Sequence, residues 1–156
     1  MGPLVVFDGE LNPRNGVSLA ARVEGDMGGL SLYEGVCDDG YGFLLTVVVG
    51  RLEELHAEPF IQVANDILLR RGKIRIAHDW YAMSSYATSV RREWTKWAGS
   101  RLKGLPDVHF LVASKLIAMG IATASLGVSL LGGPRMLSTW SREEFEEKAF
   151  ARLLEG

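Results

Sequence analysis

The sequence predicts an α/β domain with a mostly parallel, mixed sheet covered by helices. Three observations carry that expectation. From Leu30 onward, short β-branched and apolar runs alternate with helix-length amphipathic segments, the signature of βα units. The run Phe43-Leu-Leu-Thr-Val-Val-Val49 is apolar on both faces, as a central strand must be. The first two runs flank a glycine-rich turn, Cys37-Asp-Asp-Gly-Tyr-Gly42, and so read as a hairpin that adds an antiparallel edge.

The elements follow in order. Residues 1–29 read as an N-terminal extension: Leu4-Val-Val-Phe7 as a short strand, Asn12-Pro-Arg-Asn-Gly16 and Gly25-Asp-Met-Gly-Gly29 as turns, and Val17 to Val23 as a short helix between them. The domain proper is expected to span 30–156. Its hairpin strands are Ser31–Val36 and Phe43–Val49. A helix follows over about 59–71, with Pro59 in its first turn, Phe60, Val63, Ile67 and Leu68 as its apolar stripe, and Gly72 at the C′ position. Lys73-Ile-Arg-Ile-Ala77 is the third strand. The next helix is placed from Ser84 or Ser85 to about Leu102, because Tyr86, Val90, Trp94 and Trp97 recur at helical spacing. Val108-His-Phe-Leu-Val112 is a strand, 115–131 a helix, and Arg135-Met-Leu-Ser-Thr139 a short strand. Ser141-Arg-Glu-Glu144 is a capping box that opens a last helix running to about Leu154. The resulting order is β-β-α-β-α-β-α-β-α, with right-handed crossovers between the parallel strands. Val47, Val49, Ile74, Ile76, Phe110 and Val112 are expected in the core.

Bulk properties narrow the function. The chain has 156 residues, 47% hydrophobic and 23% charged, with a formal net charge of −2. That is one domain's length with an ordinary core, and its balance gives no attraction to nucleic acid or to an anionic membrane. A single cysteine, Cys37, excludes an internal disulfide and a thiolate metal cluster, and fits a cytoplasmic setting. The opening MGPLVVFDGELN lacks the basic region and apolar length of a signal peptide, and Val6 stands where a myristoylation pattern needs Ser or Thr. The uncharged run from Leu116 to Pro134 has the length of a membrane span. Its four glycines and its hydroxyl residues read instead as a helix buried almost all round, then a glycine turn.

Four patterns resemble the STAS domain, the fold of bacterial anti-sigma-factor antagonists and their SpoIIAA-like relatives. Val47-Val-Val-Gly-Arg-Leu52 is similar to the family's apolar strand ending in Gly-x-Leu. Ile74-Arg-Ile-Ala-His-Asp79 is similar to the strand that ends in an aspartate. Ser84 and Ser85 stand where family members carry a serine pair at a helix start. Ser138 to Ala149 is similar to the closing strand, cap and helix. The serine segment reads Ala82-Met-Ser-Ser-Tyr-Ala87, where the family typically has Asp-Ser-Ser-Gly-Leu-Gly. The resemblance implies a STAS-like fold over 30–154. It also implies a non-enzymatic protein-binding module of bacterial signalling or regulation. The implied docking segment is Asp79, Trp80, Tyr81, Ser84, Ser85 and Tyr86, with Ser84 or Ser85 as phosphorylation sites. The implied partner is another protein, such as an anti-sigma-type kinase; a homodimer is a further arrangement.

Two other function classes stay in view. One is a small-ligand or lipid carrier, with the apolar 116–131 helix lining a pocket. The other is a hydrolase built on His78, Asp79 and the serines. On a strand, His78 and Asp79 point to opposite faces, so the aspartate cannot orient the histidine. No serine sits in Gly-x-Ser-x-Gly, and His56, His78 and His109 lack metal-ligand spacing, so neither a metal nor a cofactor is expected. The tryptophan and arginine mixture over 91–97 reads as helix packing in preference to a nucleic-acid platform.

Overall fold

A computed structural model describes residues 16–155. Six strands form one sheet in the order β1-β2-β3-β4-β5-β6. They are β1 (Val17–Glu24), β2 (Gly28–Val36), β3 (Gly42–Leu52), β4 (Ile74–Tyr86), β5 (Asp107–Leu111) and β6 (Arg135–Thr139). The first three pair antiparallel, and β3 through β6 pair parallel. The helices are α1 (Ala57–Arg71), α2 (Thr88–Gly99), α3 (Lys115–Leu130) and α4 (Arg142–Ala149).

Each parallel step crosses over through one helix, so α1, α2 and α3 share one face of the sheet. Phe60, Ile67, Val90, Trp94, Trp97, Ile117 and Ile121 pack there on Leu32, Leu44, Val48, Ile76 and Phe110. On the opposite face α4 brings Phe145 and Ala149 onto Phe43, Leu45, Val47, Ala77 and Leu111. β3 is buried on both faces, as its composition predicts. Of the six expected core residues, five are buried and Val49 is half-buried. Gly72 closes α1 with φ +83°, and its N–H bonds the Leu68 carbonyl. The Ser141 hydroxyl accepts the Glu144 N–H at 3.3 Å, while the Glu144 carboxylate takes the Lys148 ammonium at 2.8 Å.

Several expectations are corrected. Val17–Glu24 is a strand, where a short helix was expected. Its Ala and Leu residues favour helix only weakly, and pairing along the whole of β2 overrides that preference. The sheet therefore starts well before Leu30. The Leu4–Phe7 strand and the Asn12–Asn15 turn residues lie outside the described residues. β4 runs thirteen residues to Tyr86, so the expected loop is strand and α2 starts only at Thr88. α4 ends at Ala149, short of Leu154. Finally, α3 buries Ile117, Ile121 and Val128 but leaves Leu116, Met119, Leu126 and Leu130 exposed. It is a one-sided helix, not one buried all round.

The early start of the sheet is testable. A chain truncated to begin at Leu30 loses β1 and bares the edge of β2. It is expected to lose its cooperative thermal transition and to aggregate, as read by circular dichroism and light scattering.

Candidate functional site

β4 positions every residue singled out for binding. Its alternation sends His78 and Trp80 toward α2 and α3, and Asp79 toward α4. The two candidate catalytic neighbours therefore stand on opposite faces of the sheet, as their spacing predicts.

On the helical face, His78 lies in a layer of aromatic rings. Phe110 stacks on it with centroids 4.8 Å apart, Trp80 lies at 4.8 Å, and Trp94 is near-parallel at 5.7 Å. Its Nδ1 is 2.6 Å from the Thr46 hydroxyl on β3. Burial pushes the imidazole pKa down to about 3, so the ring is neutral at ordinary pH. Trp80 is 8% exposed and serves as wall, not as an exposed anchor. The indole N–H groups of this layer differ. Trp94 donates to the Ala57 carbonyl at 3.1 Å and Trp97 to Asn65 Oδ1 at 2.8 Å. The buried Trp80 Nε1 has no partner.

These rings line an apolar cavity of about 80 Å³, partly open to solvent, between the sheet, α2 and α3. Trp80, Trp94 and Phe110 line one side; Ile121, Ala124 and Val128 of α3 line the other. Tyr86 and Arg91 also line it. The Tyr86 hydroxyl lies against Gly120, where an added Cβ would have to displace it. A glycine at this helical position lets β4 and α3 meet. A packing role for His78 was not foreseen from the sequence, where its signal was a polar residue amid apolar strand neighbours.

On the other face, Asp79 is 3% exposed and held by a bidentate pair. Arg142 Nη1 donates to its Oδ2 at 2.9 Å and Nη2 to its Oδ1 at 3.2 Å. The Tyr81 N–H adds a longer bond at 3.3 Å. Burial raises the Asp79 carboxyl pKa, with Arg142 acting against that rise. This aspartate ties β4 to α4 and is not a free docking group.

The rest of the predicted docking segment is spread out. Tyr81 and Ser84 are exposed, while Ser85 and Tyr86 are half-buried. Arg51 Nη1 donates to the Ser85 hydroxyl at 3.1 Å. Both serines lie in strand, ahead of the Ala87 that caps α2. The free N–H groups of that helix are thus not theirs, and the expected local stabilisation of a serine phosphate is lost. No group of three or more His, Cys, Asp or Glu residues with metal-holding geometry occurs among the described residues.

Two outcomes follow. Arg142→Ala leaves a buried carboxylate unpaired and is expected to cost about 3 kcal/mol of stability in urea unfolding. Asp79→Asn, which keeps the shape, should cost less. His78 has its folded pKa depressed, so the folded state disfavours its proton. Its contribution is present above pH 6.5 and is lost as pH falls toward 3. A Thr46→Val/His78→Phe double variant should therefore lose less stability than wild type between pH 6.5 and 4, measured from urea midpoints.

No protein-family model matches the chain, and no curated protein does. A solved structure does match: an uncharacterised protein of the DUF3478 family with a SpoIIAA-like fold, from Shewanella loihica PV-4. The two share 11% identity with a TM-score of 0.59, over 81% of this chain and 98% of that one. With its mixed six-stranded sheet and its helices placed as described, the chain has a SpoIIAA-like, STAS-type fold.

Proposed function

We propose that this chain is a non-enzymatic protein-binding module that pairs through the outer face of α3, with a second copy of itself as partner. One observation carries the reading. Leu116, Met119, Thr123, Leu126 and Leu130 follow the 3-4-3-4 spacing of a coiled-coil seam, and all five are exposed. The four apolar members are 65–79% exposed. Such a contiguous apolar stripe marks an interaction surface.

Charge favours a second α3, laid antiparallel. The helix carries no charge after Lys115, so two copies meet without burying an unpaired ion. Lys115 sits at the N-terminus of α3 and would face the partial negative charge at the other helix's C-terminus. A two-fold axis at Thr123 also sets Leu116 against the other copy's Leu130, and Met119 against its Gly127. Leucine then meets leucine near the ends, and methionine meets glycine nearer the axis. No helix among the described residues is long and apolar enough to cross a membrane.

The non-enzymatic part rests on the separated faces of His78 and Asp79 and on the buried, neutral imidazole. A role in bacterial signalling or regulation is what the SpoIIAA-like fold suggests. An anti-sigma-type kinase acting at Ser84 or Ser85 loses its physical support with the helix N-terminus.

Sedimentation equilibrium tests the pairing. Wild type is expected to dimerise with a dissociation constant on the order of 1–10 μM. Leu126→Glu should be monomeric, and Tyr81→Ala should behave as wild type. A wild type that stays monomeric well above that range, or a Leu126→Glu dimer of unchanged affinity, overturns the reading.

A further inference from the structure

We propose that the cavity beneath α3 is a binding site for a small alkyl-chain carboxylate. It is built from the inner side of α3 and is independent of the outer face that carries the pairing. Three features identify the ligand class.

The first is shape. A void of about 80 Å³ is well short of the ~150 Å³ engineered cavity that holds benzene. Its walls are apolar rings on one side and the short side chains of Ile121, Ala124 and Val128 on the other. A slender alkyl chain suits that space better than a ring system.

The second is the Trp80 indole. It lines the cavity, is more than nine-tenths buried, and keeps a donor without a partner. Buried donors are almost always satisfied, and the neighbouring Trp94 and Trp97 are. A ligand oxygen would supply the missing acceptor.

The third is charge. Arg91 is the one cation lining the cavity among the described residues, and no carboxylate lines it. Its recorded contact is the Tyr86 ring, with the guanidinium carbon 5.9 Å from the centroid. A wall with one exposed guanidinium and no acid favours an anionic head. His78 cannot compete for that role, because burial keeps it neutral.

The experiment is a titration of wild type with butanoate and, separately, butanol, followed through the indole N–H resonances of the four tryptophans. Butanoate is expected to shift the Trp80 resonance and to leave that of the exposed Trp140 in place. Trp80→Phe, which keeps a ring and removes the donor, should weaken both probes about tenfold, read there through Trp94, which also lines the cavity. Arg91→Gln should weaken butanoate about tenfold and butanol less than twofold. Ala124→Phe, which fills the void, should abolish binding of both. A Trp80 resonance unmoved by millimolar butanoate overturns the proposal. So does unchanged butanoate affinity in both Arg91→Gln, a surface change that leaves folding intact, and Ala124→Phe. Because the readout is Trp80, or Trp94 where Trp80 is replaced, probe adsorbed to the outer face of α3 does not count as support. A monomeric wild type would leave this result standing.

Discussion

The helical face of this protein is organised around one buried polar contact, Thr46 to His78. An imidazole in the middle of a sheet must stay neutral and find a partner, or it destabilises the core that holds it. Thr46 is its register neighbour on β3, and the 2.6 Å contact satisfies one ring nitrogen. The row continues through Leu32 on β2 and Phe110 on β5. That fixed, flat ring then sets where Phe110, Trp80 and Trp94 can lie. The aromatic layer in turn spaces α2 and α3 from the sheet. Across the same strand, Asp79 and Arg142 do a parallel job for α4, by charge in place of stacking.

Much of this was legible in the sequence, and the failures have physical causes. The βα alternation, the hairpin and the buried β3 follow from apolar periodicity, which the sheet enforces directly. The opposite facing of His78 and Asp79 follows from strand alternation alone. Two expectations from local preference failed where tertiary pairing decided. Val17–Glu24 has no strong strand signal and owes its conformation to β2. Ser84 and Ser85 are good cap residues, yet Arg51 and Leu52 of β3 extend the pairing to Tyr86 and delay the helix. Trp80 was expected at a surface because it follows a strand end. With the strand carried past it, the same alternation turns it inward.

The hardest element to foresee was α3. An uncharged helix next to a sheet is the pattern of a helix buried all round, and composition cannot distinguish that from one with an uncovered side. What distinguishes them is how much chain is available to cover it. The sheet takes Ile117, Ile121 and Val128, and no further layer lies outside among the described residues. The outer leucines and methionine are left to solvent, at a free-energy cost that a partner surface would recover.

The inner side of α3 carries a related cost. An unfilled void of about 80 Å³ amounts to roughly 2 kcal/mol at ~24 cal/mol per Å³. The unpaired Trp80 donor adds a penalty of the same order. Larger side chains at Gly120 or Ala124 are the simplest way to remove the void, but at Gly120 one would have to displace the Tyr86 hydroxyl. Tyr86 is there because β4 overruns its pairing with β5, which stops at Asp79, and continues along β3 alone. The long strand thus brings Tyr86 against α3, requires a glycine there, and leaves the space beneath. The void and the inward-turned Trp80 donor both trace to the length of β4, and a ligand in that space would offset the cost of both.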